Sequence, residues 1–121
     1  GIDLRACIDE SILIQPNETV IIGSGIAIAI DDSNIAATLL PRSGLGIKHG
    51  IILANLVGLI DSDYYKEIKI AVWNRSNRPF IINQGDRICQ MVFVPIIQAR
   101  LQWVEELEDN GRDGLGSTGL S

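Results

Sequence analysis

Residues 77–95, NRPFIINQGDRICQMVFVP, indicate most clearly how this chain folds. Two apolar runs flank the sequence Gln84–Gly85–Asp86, and these three residue types are typical of a tight turn. Isoleucine and valine, which are common in both runs, are stiff at the first side-chain torsion and fit a pleated sheet. The stretch therefore predicts two β-strands joined by a turn.

Short apolar segments separated by turn residues continue towards the N-terminus, at the spacing of a β-sandwich or barrel. The stretch EIKIAVWN places Ile68, Ile70 and Val72 on one face of a strand. Residues 25–30, GIAIAI, alternate as strictly and predict another strand with its isoleucines on one face. The sequence therefore predicts an all-β domain with at most one short helix.

The stretch IIQARLQWVEELE, which follows residue 95, fits two patterns. A helix would align Ile97, Leu101 and Val104, whereas a strand would align Ala99, Leu101 and Trp103. The periodicity does not decide between them, and the all-β surroundings favour a strand.

The length and composition fit one domain. The chain has 121 residues, of which 46% are hydrophobic, enough for a single core. We expect a β domain over residues 1–109 and a flexible arm over residues 110–121, which are rich in Gly and Ser. The chain starts without Met inside a strand-like stretch, so we expect that N-terminal sequence is missing.

The charge of the chain excludes two classes of partner. The formal net charge is −5, and no basic run is present, so we expect no nucleic-acid coating and no binding to anionic membranes. No apolar run approaches the roughly 20 residues that span a bilayer. We expect Cys7 and Cys89 to be buried, unpaired thiols, which favours a reducing compartment, the cytoplasm.

The stretch PRSGLG combines groups that suit a phosphate. Pro41 ends an apolar run, and Ser43 is a natural N-cap for a helical turn that begins near Gly44. The first N–H groups of such a turn attract anions, and the guanidinium of Arg42 matches phosphate oxygens. Taken alone, the stretch favours an ordinary capped turn with a solvated arginine, because Ser-Gly turns are common.

The stretch NLVGLIDSDY ends in a polar cluster that suits hydrolysis. Asp61, Ser62 and Asp63 resemble a hairpin tip, and an aspartate that is ionised at neutral pH could activate a water molecule. Tyr64 could pack against a sugar ring, and the amide of Asn55 could read the edge of a base. A polar turn between two strands is the alternative.

These stretches occur in the order of five motifs, GIDLRA, PRSGLG, NLVGLIDSDY, GDRICQ and GLGSTG. In that order the chain resembles the bacterial homotrimeric deoxyuridine triphosphatases (dUTPases) over nearly its whole length. The resemblance implies a jelly-roll-like β fold that assembles as a trimer with sites shared between subunits. It also implies hydrolysis of dUTP to dUMP and pyrophosphate, by attack of water on the α-phosphorus with Mg²⁺ on the triphosphate.

The resemblance implies a role for each motif. Asp61 would activate the water, Tyr64 would leave no room for a 2′-hydroxyl, and Asp3 would reach Mg²⁺ through water only. Substrate contacts are implied for Arg42, Ser43, Gly44, Asn55, Gly58, Leu59, Ile60, Tyr64, Lys69, Gln90, Leu115, Gly116 and Ser117.

The fifth motif departs from the family pattern. Leu115 stands where the family has an aromatic residue, Asn110 stands in place of an arginine, and Asp113 adds an anion. These changes keep open a non-catalytic relative that binds nucleotide or acts as a trimeric interaction module. A dCTP deaminase shares the fold, but its glutamate-centred motif is not found here.

Overall fold

The computed structural model describes residues 1–111, which form nine β-strands and one α-helix. The strands are β1 Ile2–Arg5, β2 Ile12–Ile14, β3 Thr19–Gly23, β4 Ile35–Pro41, β5 Ile51–Leu53, β6 Gly58–Ile60, β7 Lys69–Asn74, β8 Phe80–Ile82 and β9 Arg87–Pro95. Helix α1, Ser43–His49, lies between β4 and β5. Within this part of the chain no helix is long and apolar enough to cross a membrane.

The strands form three antiparallel sheets around one apolar core. The largest has the order β1-β9-β4-β6, the second has the order β3-β7-β5, and the third pairs β2 with β8. All three sheets contribute to one buried cluster, which includes Leu4, Ile22, Ile70, Ile82 and Met91. The predicted all-β, jelly-roll-like barrel class with one short helix is confirmed.

The two stretches with the clearest strand patterns form strands. Residues 77–95 contain β8 and β9, and Gly85 between them has a φ of 81°, a left-handed conformation that glycine adopts without strain. Ile68, Ile70 and Val72, at the start of and along β7, are all at most 2% exposed. Their alternation predicted the core-facing side correctly because that face is buried along its whole length.

Two predictions of regular structure are wrong. Residues 25–30 form no strand, although the carbonyl of Ile26 accepts a bond from the N–H of Ile68 at 2.8 Å. Residues 96–108 are neither helix nor strand. Ile97 and Trp103 are both 94% exposed, so these apolar side chains lie at the surface of the described chain.

The two cysteines differ in their surroundings. Both are free, but Cys89 is buried in β9, whereas Cys7 is exposed, so the prediction that both are buried is wrong for Cys7. Cys7 comes after the end of β1, and its N–H donates to the carbonyl of Gly23 at 2.9 Å. This bond joins the end of β1 to β3 and leaves the side chain at the surface.

Candidate functional site

A cleft of about 370 Å³ lies where β6 and the turn that follows it face the start of β7. It holds seven of the residues for which a substrate or catalytic role was predicted. Its lining consists of Leu39, Asn55, Gly58, Leu59, Ile60, Asp61, Asp63, Tyr64, Ile68 and Lys69.

The floor of the cleft depends on Gly58. This residue is buried and lies opposite Leu39 in the pairing of β6 with β4. A Cβ at Gly58 would lie 3.1 Å from the Cβ of Leu39, which is tighter than normal carbon packing. Glycine therefore lets the β6 backbone approach β4 and leaves its own peptide groups at the cleft.

The two carboxylates of the cleft lie in the turn after β6. The N–H of Tyr64 donates to the carbonyl of Asp61 at 3.1 Å, which closes a four-residue turn. The prediction of a hairpin tip is wrong, because β6 and β7 belong to different sheets. The turn instead links two sheets, and it holds the exposed side chains of Asp61 and Asp63 at the edge of the cleft between them.

The far wall is the ring of Tyr64, which is 40% exposed. Its hydroxyl donates to the carbonyl of Glu67 at 3.0 Å. This bond anchors the polar end of the ring to the segment that leads into β7, so that the aromatic face is available to a ligand. Asn55 and Lys69 add an amide and an ammonium group to the same cleft.

A second polar group lies on β1 and β9. Asp3 pairs with Gln90 in the ladder, and Gln90 Nε2 donates to Asp3 Oδ1 at 3.4 Å. The other oxygen of Asp3 lies 3.7 Å from Arg87 Nε. The register between the strands skips Ile88, since Leu4 pairs with Cys89 and the next residue pairs with Arg87. This bulge puts Arg87 and Gln90 on the same exposed face.

The start of α1 differs from the predicted cap. Arg42, with extended backbone angles, is the N-cap, and Ser43 is the first helical residue without a capping side-chain bond. The prediction that Ser43 caps the helix is therefore wrong by one position. No atom outside its neighbours lies within 4 Å of a Cβ built at Gly44, so a ligand has room there. Arg42 Nη1 donates to the carbonyl of Arg87 at 3.4 Å.

The cleft and the other predicted site residues do not meet within one chain. The cleft contains none of Asp3, Arg42, Ser43, Gly44 or Gln90. Arg42 instead lines a separate depression with two further arginines. The remaining predicted residues, Leu115, Gly116 and Ser117, lie outside the described residues.

Burial sets the chemistry of the one thiol near the second group. Burial, together with the negative charge of Asp3, raises the pKa of Cys89 from 9.0 to about 11. The thiol therefore stays protonated at neutral pH and has the character of a small apolar residue.

The sequence reasoning left Asp63, Leu39 and Ile68 out of the site, although all three line the cleft. Asp63 could have been included from its position two residues after Asp61 in the same turn. Leu39 and Ile68 carry no polar group and gave no signal in the sequence, because they lie far apart in the chain and only the fold brings them to the cleft.

The sequence model of the dUTPase family matches residues 1–119. The chain belongs to the dUTPase family. This dUTPase-family chain is 57% identical to the deoxyuridine 5′-triphosphate nucleotidohydrolase of Neisseria meningitidis serogroup A, over 99% of its own length and 81% of that protein. It is 55% identical to the enzyme of the same name from Idiomarina loihiensis, over 100% of this chain and 82% of that protein.

Solved structures show the same fold. A variant of the Staphylococcus bacteriophage 80alpha dUTPase matches with a TM-score of 0.79 and 25% identity, over 96% of this chain and 84% of that one. The Streptococcus mutans dUTPase matches with a TM-score of 0.72 and 27% identity, over 81% and 79%. The phage phi11 dUTPase, which coordinates a structural Mg(II) ion, matches with a TM-score of 0.76 and 24% identity, over 88% and 84%.

Proposed function

We propose that this chain hydrolyses dUTP to dUMP and pyrophosphate, which lowers dUTP and supplies dUMP for thymidylate synthesis. The observation that carries the proposal is the cleft, in which an amide, a tyrosine ring and an exposed carboxylate converge. Its relatives at 55–57% identity are named for the same reaction.

The part of the cleft that Asn55 and β6 line suits a pyrimidine. The side-chain amide of Asn55 has a donor and an acceptor, and the backbone of Gly58, Leu59 and Ile60 adds further N–H and C=O groups. This set can match the alternating donors and acceptors on the edge of uracil. The ring of Tyr64 then packs against the sugar and excludes a 2′-hydroxyl.

Asp61 is the proposed general base. Its carboxylate lies at the rim of the cleft and is exposed, so that a water molecule can reach it. Asp61 takes a proton from that water as the water oxygen attacks the α-phosphorus, and pyrophosphate leaves. General-base help of this kind is worth about 100- to 10,000-fold in rate. Positioning of the nucleotide supplies much of the rest.

The residues predicted to bind phosphate are proposed to act in the site of a neighbouring subunit. Arg42, Ser43, Gly44 and Gln90 offer cationic and neutral donors but do not line the cleft of their own chain. We therefore propose a homotrimer in which one subunit supplies the cleft with Asp61 and another supplies these donors. The exposed apolar residues of residues 1–111, such as Ile21 at 61%, fit burial between subunits.

The residues present fit a Mg²⁺ ion carried by the triphosphate. No group of three or more potential ligands occurs within the described residues, and Mg²⁺ commonly binds through substrate phosphates, water and one or two carboxylates. Asp3 already contacts Gln90 and Arg87, which suits contact to the ion through water. When bound, Mg²⁺ would neutralise the charge of the phosphates against a chain of net charge −5.

We further propose that residues 110–121 form an arm that closes over the bound nucleotide through Leu115, Gly116 and Ser117. The domain over residues 1–109 would bind without it. A chain ending at residue 109 should then keep its fold and lose most of kcat/KM. Two free cysteines agree with a cytoplasmic location.

The function is tested by pyrophosphate release from dUTP with Mg²⁺. Asp61→Asn should lower kcat by about 100-fold or more while still binding a non-hydrolysable dUTP analogue. Asp63→Asn is the matched control, because Asp63 lies in the same turn and lines the same cleft. Equal rates for Asp61→Asn and the parent chain would refute the role of Asp61. Analogue binding with no turnover by the parent chain would favour the non-catalytic alternative, and ammonia release from dCTP would favour the deaminase.

A further inference from the structure

The Glu67 side chain holds a glycine-containing loop behind the tyrosine wall of the cleft. Its Oε2 accepts the N–H of Gly25 at 2.8 Å, although the two residues are 42 positions apart. The same carboxylate covers Gly23, where a Cβ would lie 2.8 Å from Oε2 and 3.4 Å from Cδ. Glu67 therefore joins the end of β3 to the segment between the turn and β7.

The Glu67 backbone holds the tyrosine itself. Its carbonyl accepts the hydroxyl of Tyr64 at 3.0 Å. The next residue, Ile68, extends the link to the loop. Its N–H donates to the carbonyl of Ile26 at 2.8 Å, and the carbonyl of Ile68 accepts the N–H of Ser24 at 3.1 Å. One residue thus carries both the anchor of the aromatic ring and the side chain that ties this anchor to β3.

We propose that Glu67 is a positioning residue that fixes Tyr64 and thereby sets the affinity and the 2′-deoxy preference of the cleft. This inference rests on the proposed function for the nature of the ligand. Main-chain bonds of Ile68 hold Ser24 and Ile26, and the carboxylate adds the bond to Gly25 between them, a glycine with a φ of 69° and a permissive backbone. Loss of the bond loosens the loop at Gly25, and the Glu67 carbonyl and the tyrosine ring shift with it.

The test compares Glu67→Ala with Glu67→Gln. The alanine variant loses the acceptor for the Gly25 N–H, whereas the glutamine oxygen can still accept it. We expect Glu67→Ala to raise KM for dUTP about 5- to 10-fold, a loss of about 1.0 to 1.4 kcal/mol, with kcat changed less than about 2-fold. We expect the preference for dUTP over UTP to fall by a similar factor, and Glu67→Gln to restore both.

A double-mutant cycle separates positioning from general stability. Tyr64→Phe removes the hydroxyl bond, so Glu67→Ala should have little further effect on KM in that background. Glu10→Ala is the control, since Glu10 is an exposed carboxylate outside the cleft. Thermal unfolding of each variant shows whether the fold is kept, and hydrogen exchange at Gly25 reports the bond directly.

The outcomes distinguish this inference from the proposed function. A parent chain that hydrolyses dUTP, with Glu67→Ala unchanged in KM and selectivity or additive with Tyr64→Phe, overturns the positioning role alone. A parent chain without turnover overturns the proposed activity, and the same variants are then compared by the Kd of non-hydrolysable dUTP and UTP analogues. Equal Kd values in all variants, or no binding, overturn the positioning role as well.

Discussion

Replacement of Asn74 by alanine should destabilise the domain far more than an ordinary loop mutation. Asn74 ends β7 and is fully buried. Its Nδ2 donates to the carbonyls of Ile14 at 3.0 Å and Arg78 at 2.7 Å. Its Oδ1 accepts the N–H of Ser76 at 3.0 Å and the hydroxyl of Ser76 at 2.7 Å. One side chain thus fixes the loop after β7 to the end of β2.

The magnitude follows from the partners that remain unsatisfied. The Ser76 hydroxyl lies 3.0 Å from the carbonyl of Arg78, and its single proton is free to bond that carbonyl once Oδ1 of Asn74 is removed. The carbonyl of Ile14, a residue with no exposed surface, and the N–H of Ser76 each lose a partner. A buried polar group without a partner costs about 1 to 3 kcal/mol, so Asn74→Ala should lower the free energy of unfolding by about 2 to 5 kcal/mol.

Urea unfolding at one fixed protein concentration measures this loss, because assembly would make stability depend on concentration. Asn77→Ala, in the same loop and exposed, is the control and should change stability by less than about 0.5 kcal/mol. Asn74→Asp should lower the free energy of unfolding more than Asn74→Ala does at about pH 8, and less at about pH 5, because a protonated carboxyl regains one donor. A loss below about 1 kcal/mol for Asn74→Ala would refute the reasoning.

Four further results are expected. Gly50→Ala should lower the free energy of unfolding in urea by about 1 to 3 kcal/mol. Gly50 has a φ of 69°, and a Cβ there would lie 3.0 Å from the Cβ of Ser76 in the loop after β7. An unchanged midpoint would contradict this. Gly58→Ala should raise KM for dUTP by pushing Leu39 into the cleft, and unchanged kinetics would show that the floor can shift. In the native protein a thiol reagent should label Cys7 quickly and Cys89 only after unfolding. Because the folded state raises the pKa of Cys89 from 9.0 to about 11, stability should fall as pH rises from about 9 to 11, and Cys89→Ala should flatten that slope.

Local patterns predicted the strands whose burial is uniform. The alternation of Ile68, Ile70 and Val72 was sufficient because every second residue of β7 is buried. The same alternation in residues 25–30 misled, since a pattern shows which side chains can share a face but not whether a neighbouring strand is available. The stretch after residue 95 failed for a related reason, because most of its apolar side chains, such as Ile97 and Trp103, stay exposed within residues 1–111.

The site was predictable where its residues are close in sequence. Seven of the cleft residues lie in the stretch from Asn55 to Tyr64, so one motif placed most of the cleft. Long-range contacts were not predictable from local patterns, and the link from Glu67 to Gly25 gave no signal because it joins residues 42 positions apart. The cap of α1 was predicted one residue late, since extended angles at Arg42 rather than a hydroxyl begin the helix.

The skipped residue in the pairing of β1 with β9 restricts how this chain can vary in length. Arg87 and Gln90 are three positions apart, an odd number, and in a regular strand they would point to opposite sides. Ile88 and Cys89 are both buried between them, so the extra residue restores a common side. An insertion or deletion of a single codon here would turn a guanidinium or an amide into the hydrophobic interior, whereas the turn at Gly85 can change length at the surface. Evolution and protein engineers can therefore exchange side chains in this segment far more easily than they can change its residue count.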